Sequence, residues 1–469
     1  MPRLRLPARR RRAPGWLAAI ACLVALTGLT WPLATRVQEA SADPAPARPQ
    51  ELALVFSMGY GGDLLPQEPE TFDALMATVA EAGYTTVLAS YEAWRLPILE
   101  RHGLTLMVDL LDERHHVYRN PEGAEALARS LQGDPRVWGY HLFSDTAATI
   151  VSGRQRDIDN VRRWDPTHPT FVGTQQHVKS TLGQMTSPDV VAYYDYHWTR
   201  DRATHFPNLD FFGSYADEKD AFLYRWVQVD PGRAGIGNPN RIRYTVFSSM
   251  AFGLKGVMWF LGSRLIDSGS WRWNQLGLDV ARVNHEVLPL AEVFAPLRRL
   301  DTWSTPLTIN ANDDPRGAEE PPIPPGLAPI PEDFWAQVES GEVLIGHFRD
   351  PAEASEEGRA GRYLFAANPN SYQPQPLVMR FGTAITGVEI FDREAGEWRL
   401  LDMSESRVEL VLGPGFGELL RASSEAEPPP TPTANSTANS TPNTTSMPEP
   451  TVMPGPAGTI YLPMAWHEA

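Results

Sequence analysis

RVWGYHLFSD (residues 136–145) is an apolar run of strand length that ends on an acid, Asp145, just ahead of a helical pattern. In barrels of alternating strands and helices, the carboxyl-terminal strand ends carry the chemistry. The reading of the chain therefore turns on whether the same alternation extends to both sides of this stretch.

It does. Upstream, ELALVFSM (51–58) reads as a strand broken by Gly59-Tyr60-Gly61-Gly62-Asp63, and 69–83 has helical spacing of Phe72, Leu75, Met76 and Val79 with Gly83 as a stop. Strands at 84–89 and 104–110 follow, each with a helix behind it, at 93–103 and 121–133. Downstream, strands at 170–173, 190–196, 222–229 and 256–261 alternate with helical patterns at 147–164, 178–185, within 208–220, at 241–254 and at 276–300. Eight alternations over about 250 residues predict an α/β fold, a (β/α)8 (TIM) barrel over 51–304. A doubly wound open sheet is the rival, but Gly59-Tyr60-Gly61-Gly62 lacks the full phosphate-binding fingerprint.

Outside the barrel, composition shifts. Residues 305–335 form a proline-rich connection, and 336–423 hold short β-like runs separated by Gly, Asn and Pro turns, as in a small antiparallel β-sandwich. Residues 424–458 are rich in Pro, Thr, Ser and Asn, too poor in apolar side chains to offset ordering entropy, and read as a tether. The tail 459–469 returns to apolar character, and tether and tail together suggest attachment to a cell envelope. At the other end, residues 1–42 combine a basic start, an apolar run and Ala40-Ser41-Ala42, the pattern of a signal peptide or signal anchor, followed by a short linker at 43–50. The expected location is secreted or cell-surface.

Without residues 1–42, which hold seven arginines and one glutamate, 34 basic and 56 acidic side chains remain, a net charge of −22. Nucleic acid is excluded as a partner by the lack of a basic footprint. The single cysteine, Cys22, lies within the apolar start, so neither disulfides nor thiol chemistry are expected beyond it. His115 and His116 are adjacent and point apart, unlike a zinc pair at helical spacing, and no regular calcium loop or Gly-x-Ser-x-Gly elbow occurs. No metal or cofactor is expected.

Three segments resemble the barrel-type glycoside hydrolases of the beta-galactosidase-like group. Gly139-Tyr140-His141-Leu142-Phe143-Ser144-Asp145-Thr146 is similar to their fourth-strand pattern Gly-Tyr/Trp-x-Leu-x-Asp-Glu-Pro. Arg225-Trp226-Val227-Gln228 with 241–260 resembles their seventh strand, helix and eighth strand, and Asn284-His285-Glu286-Val287 with 412–420 resembles the last helix and the closing strand of an appended β-domain. The resemblance implies a carbohydrate substrate and a pair of carboxylates, but Asp145 stands where the pattern has glutamate. Gln228, followed by Asp230, stands where retaining relatives carry a nucleophile.

Glycosidic cleavage uses two carboxyl groups, about 5 Å apart for retention and roughly 6.5 to 9.5 Å apart for inversion. Asp145 is the candidate general acid, with Tyr140 and Phe143 as mouth aromatics expected to desolvate it; capping of the following helix is the alternative job. Asp195, within Tyr193-Tyr194-Asp195-Tyr196-His197-Trp198, is the candidate water-activating base. Tyr196, His197 and Trp198 are expected as a binding wall, Asp109, Gln228 and Asp230 as partners of sugar hydroxyls, Trp259 as the pocket floor, and Tyr60, Tyr91 and Glu92 as the rim. Two functions compete: an exported glycoside hydrolase, and a catalytically degenerate barrel serving as a carbohydrate-binding or structural surface protein.

Overall fold

The computed structural model describes residues 52–58, 64–143, 151–175, 189–195, 204–229, 239–260, 262–267, 270–307, 323–352 and 362–423, with 151–154, 174, 175 and 228 described in backbone only. The expected leader, tether and tail lie outside these residues, as do Tyr60, Asp145, Tyr196, His197, Trp198 and Asp230. No helix among the described residues is long and apolar enough to cross a membrane.

Eight parallel strands close on themselves: β1 (Ala53–Phe56), β2 (Thr86–Ala89), β3 (Thr105–Asp109), β4 (Val137–Phe143), β5 (Thr170–Gln175), β6 (Val190–Tyr194), β7 (Phe222–Gln228) and β8 (Leu254–Phe260). Closure is made by β1 against β8, with Ala53 beside Gly256 and Phe56 beside Trp259. Around the ring lie α1 (Pro69–Glu81), α2 (Leu96–Arg101), α3 (Pro121–Leu131), α4 (Val151–Trp164), α5 (His205–Glu218), α6 (Pro239–Ala251) and α7 (Gln275–Val287). Prolines at the start of α1, α2 and α3 lose no hydrogen bond there, and Asn120 caps α3 by accepting from Gly123 N at 3.1 Å.

Strand alternation sorts the side chains into two layers. Ala53, Val55, Leu88, Met107, Phe171, Val190, Ala192, Phe222, Tyr224, Trp226 and Met258 fill the inside of the barrel, while Leu54, Phe56, Val87, Leu106, Tyr193 and Trp259 face the helices. Gly256 is required on the inside: a Cβ there would lie 2.2 Å from the Tyr224 ring.

Strand β4 departs from regular pairing twice, with a shift against β3 around Trp138 and another against β5 around Leu142. The result corrects the expected mouth aromatics. Tyr140 faces the helices and gives its hydroxyl to Asp165 at 2.6 Å, and Phe143 is buried in the same outer layer.

Behind α7 the expected single helix over 276–300 is interrupted. Leu288-Pro289-Leu290 forms a 3-10 turn, because a proline cannot continue the helical ladder, and a one-turn α8 (Ala291–Phe294) follows. Before α7, β9 (Ile266–Asp267) and β10 (Arg272–Trp273) form a small hairpin. The β-domain opens earlier than expected, with β11 (Arg298–Ser304) and β12 (Ala328–Pro329) inside the segments read as barrel and connection. It continues with β13 (Ala336–Ser340), β14 (Leu344–Arg349), β15 (Tyr363–Ala367), β16 (Gln375–Phe381), β17 (Gly387–Asp392), β18 (Glu397–Leu400), β19 (Arg407–Leu412) and β20 (Gly417–Ser423). A seven-stranded sheet, ordered β12-β11-β14-β15-β20-β17-β18, and a three-stranded sheet, β13-β16-β19, share one apolar core that includes Trp303, Ile345, Leu364, Leu377, Met379 and Val408.

The turn between α4 and β5 is locked by one carboxylate. Asp165 accepts from Tyr140 Oη, His168 Nδ1 (2.6 Å), Thr167 N (2.8 Å) and Thr167 Oγ1. Burial pushes its pKa up, but the hydrogen bonds from His168, Thr167 and Tyr140 outweigh that and hold it at about 2. A depressed carboxylate pKa contributes stability above the unfolded value of about 3.9, and that contribution is lost as pH falls toward the folded value. Asp165→Asn is expected to cost about 2–3 kcal/mol at pH 7. Urea titrations of both proteins at pH 7 and at pH 2.5 check this, with the difference shrinking at the lower pH.

Candidate functional site

At the carboxyl-terminal end of the barrel the inward rows bring together Asp109 from β3 and His141 from β4. The two residues are 32 positions apart in sequence, yet Nδ1 of His141 lies 2.9 Å from Oδ1 of Asp109. The same Oδ1 accepts from Leu111 N at 3.1 Å, so these two bonds fall on one oxygen and Oδ2 makes neither. Both residues are deeply buried, His141 at 2% and Asp109 at 6% exposure. The short contact with the carboxylate fixes the orientation of the imidazole ring.

The ring beside this pair is Trp226. Its centroid lies 6.2 Å from His141, 6.3 Å from Phe171 and 6.0 Å from Phe260, so it spans from β7 toward β4 and β5 and covers the packed interior beneath. Phe171 also meets His141, at 5.4 Å. Trp226, not Trp259, is therefore the floor. Trp259 is fully buried on the outer side of β8 and donates Nε1–H to Asn284 Oδ1 at 2.9 Å, while Asn284 Nδ2 bonds Ala82 O at 3.0 Å. It ties β8 to α7 and to the end of α1.

Asp195 is also placed on the helix side. It follows Tyr194, which takes the inward position at the end of β6, and its carboxylate accepts from Asn208 Nδ2 at 3.1 Å and Thr204 Oγ1 at 3.4 Å. Its carbonyl accepts from Arg225 Nη2 at 3.3 Å, and Arg225 in turn donates to Ser249 Oγ at 2.8 Å. The expected water-activating base thus anchors α5 to the barrel, a correction that follows from the alternation of Tyr194 and Asp195 across the strand.

On the rim, Glu92 is neutralised by Arg114 at 2.7 Å, and Arg114 also reaches Tyr91 O at 3.2 Å. This joins the loops after β2 and β3. Tyr91 meets His115 edge-on at 6.3 Å, and His115 Nδ1 lies 3.2 Å from Asp112 Oδ2, whereas His116 packs against Tyr118 at 4.0 Å. The two histidines take different partners, as their adjacency predicts. Among the described residues no group of three His, Cys, Asp or Glu side chains is arranged to hold a metal. Gln228 ends β7 two residues past Trp226, with its side chain outside the description.

His141 is the functional residue that sequence reasoning missed. Its signal was an imidazole inside an apolar strand, which reads equally as core; only the β3–β4 pairing reveals the carboxylate beside it.

Fold and site together define a (β/α)8 barrel backed by a β-sandwich, with a carboxylate–imidazole pair and an indole at its mouth. No family model matches the chain, and no curated protein matches it. Among solved structures, a glycoside hydrolase family 5 protein from Bacteroides vulgatus is similar over 79% of this chain and 88% of its own, at 9% identity and a TM-score of 0.50. A maltogenic alpha-amylase from Thermotoga neapolitana matches over 80% of this chain and 99% of its own (11% identity, TM-score 0.42). Cel5A of Thermotoga maritima, solved with mannotriose, matches over 50% and 98% (13% identity, TM-score 0.38). At these identities the likeness is one of fold.

Trp259→Phe is expected to leave Asn284 Oδ1 buried without its donor and to cost about 1–3 kcal/mol. Denaturation of the variant measures that cost, and ligand binding at the mouth is expected to be unchanged.

Proposed function

We propose that this chain is an exported glycoside hydrolase-like protein that acts on an oligo- or polysaccharide, with Asp145 as general acid. The observation that carries the reading is the Asp109–His141 pair, buried at the mouth over the Trp226 ring. An aromatic ring beside a few convergent hydrogen-bonding groups is the surface a sugar requires: a face for its C–H bonds and partners for its hydroxyls. In sequence Asp145 follows the last residue of β4 by two positions, and the carboxyl-terminal strand ends of such barrels are where catalytic groups are carried. In this reading Asp109 and His141 grip and orient the ring next to the scissile bond. Assignment to the beta-galactosidase-like group belongs to the same proposal and rests on the fourth-strand and seventh-strand segments. Export rests on residues 1–42, and attachment to an envelope on the tether and tail.

A second reading, a barrel that binds sugar without cleaving it, is favoured by one observation. Asp195 faces α5, which removes one carboxylate from the expected pair, and Gln228 stands in the position of a nucleophile.

Sugar release from mannotriose, cellotriose and maltotriose separates the two. Asp145→Asn is expected to lower kcat by about 100-fold or more, the usual contribution of a positioned general acid, with an unchanged melting temperature. Full activity of the variant removes Asp145 from the mechanism. Saturable binding by the wild-type chain with no product from any of the three supports the second reading.

A further inference from the structure

Among the described residues, two buried polar atoms on residues at the carboxyl-terminal end of the barrel have no hydrogen-bond partner: Nε1 of Trp226, on a residue 5% exposed, and Oγ of Ser90, on a residue 1% exposed. Trp226 belongs to the inward row of β7, with Tyr224 and Phe222 below it in the barrel interior. Ser90 continues the inward row of β2, whose Leu88 lies in the same interior cluster, and the β2–β3 register that pairs Ala89 with Val108 carries Ser90 alongside Asp109. Four residues on inward positions, Ser90, Asp109, His141 and Trp226, thus come from β2, β3, β4 and β7 to one end of the barrel. Buried donors without acceptors are rare in folded proteins, and a binding site completed by its ligand is one reason for them. Two at the same end as a carboxylate whose Oδ2 takes no hydrogen bond from the described residues point to a ligand that brings both acceptors and donors.

The charge at this end narrows the ligand. Among the described residues the inward mouth positions include Ser57, Ser90, Asp109, His141, Tyr194, Trp226 and Phe260, with no lysine or arginine among them. Arg225, on the same strand as Trp226, is turned to Ser249 on the helix side. Among the described residues at these inward positions, a carboxylate or sulfate on the ligand would meet Asp109 with no lysine or arginine to offset the repulsion.

Building on the carbohydrate reading above, we propose that Trp226 Nε1–H and Ser90 Oγ–H donate to ring hydroxyls of a neutral sugar, that Asp109 Oδ2 accepts from a third hydroxyl, and that this subsite rejects uronates. The indole then serves twice, as an apolar floor and as a donor that requires an oxygen at one point of the bound ring.

The test is a titration of full-length protein carrying 15N-labelled tryptophan with mannotriose, cellotriose, maltotriose and trimannuronate, followed through the indole N–H resonances. The Trp226 resonance is identified by its loss in Trp226→Phe, which keeps an aromatic ring and removes the donor. A neutral trisaccharide is expected to shift that resonance downfield. Calorimetry is expected to show binding weakened about tenfold in Trp226→Phe and also weakened in Ser90→Ala, with both variants folded at the titration temperature by circular dichroism, and no binding of trimannuronate at the same concentration. Should a neutral trisaccharide bind while the Trp226 resonance stays in place and both variants bind equally well, the donor role is overturned and the carbohydrate reading stands. Equal affinity for trimannuronate overturns the neutral class. Should none of the four sugars bind, the carbohydrate reading falls and this inference falls with it.

Discussion

The pairing of β4 is the constraint on which the mouth depends. A strand between two parallel neighbours presents alternate side chains to opposite faces, so a one-residue shift of register reverses every assignment downstream of it. β4 shifts once against β3 and once against β5, and these irregularities bracket His141. They put the imidazole inside against Asp109 while Tyr140, the preceding residue, reaches outward to Asp165. One segment of strand thus holds both the hydrogen bond that locks the barrel to its helix layer and the one that builds the site. Bulges that re-aim side chains beside functional sites are a common use of such irregularity.

The same argument explains what could be read in the sequence. Eight strands and the helices among the described residues were legible because each strand is buried on both faces and appears as an apolar run, with glycine and proline marking its ends, while the helix expected at 178–185 lies outside the described residues. The segment 276–300 was less legible, since apolar spacing continues through Pro289 and into β11 and does not reveal where helix gives way to the β-domain. Within the site, Asp109 was legible as an acid at a strand end. The exchange of Trp259 for Trp226, and the outward turn of Asp195, were not. Each depends on which face a residue occupies, and where both faces are apolar, composition cannot distinguish inside from outside. The β7–β8 register adds a further shift at Leu223, so parity could not be carried from one strand to its neighbour by counting.

The β-sandwich contributes to the site indirectly, through α6. Arg393, between β17 and β18, places its guanidinium over Phe247 of α6 at 5.0 Å and over Phe416 at 4.4 Å, bonds Gly417 O, and lies 3.3 Å from Glu418. Burial pushes the pKa of Glu418 up, and Arg393 pulls it back toward the charged form. Phe247 also stacks near Phe365 of β15 at 6.3 Å. A helix held by cation–π and ring contacts on its outer side cannot slide along the barrel without giving them up together. Because α6 lies between β7 and β8 in the chain, that restraint reaches the strands that supply Trp226 and Phe260.

Among the described residues, buried ionic groups do structural work on the helix side and leave the inside of the mouth sparsely charged. Arg225 and Asp195 are bound to α5 and α6, Lys255 of β8 lies 3.8 Å from the Phe294 ring centre with its pKa lowered by burial, and Arg299 engages Asp217 at 2.7 Å where the β-domain begins. Each is charged or polar, yet each is turned from the barrel axis and paired there, which is the condition under which burial of a charge can be tolerated. Against that background Asp109 is distinctive: a carboxylate facing inward whose basic partner among the described residues is an imidazole. Among the described residues no guanidinium pairs with it, and Oδ2 takes neither of the bonds that Oδ1 accepts, so that oxygen can act on a neutral ligand as a charge-assisted acceptor.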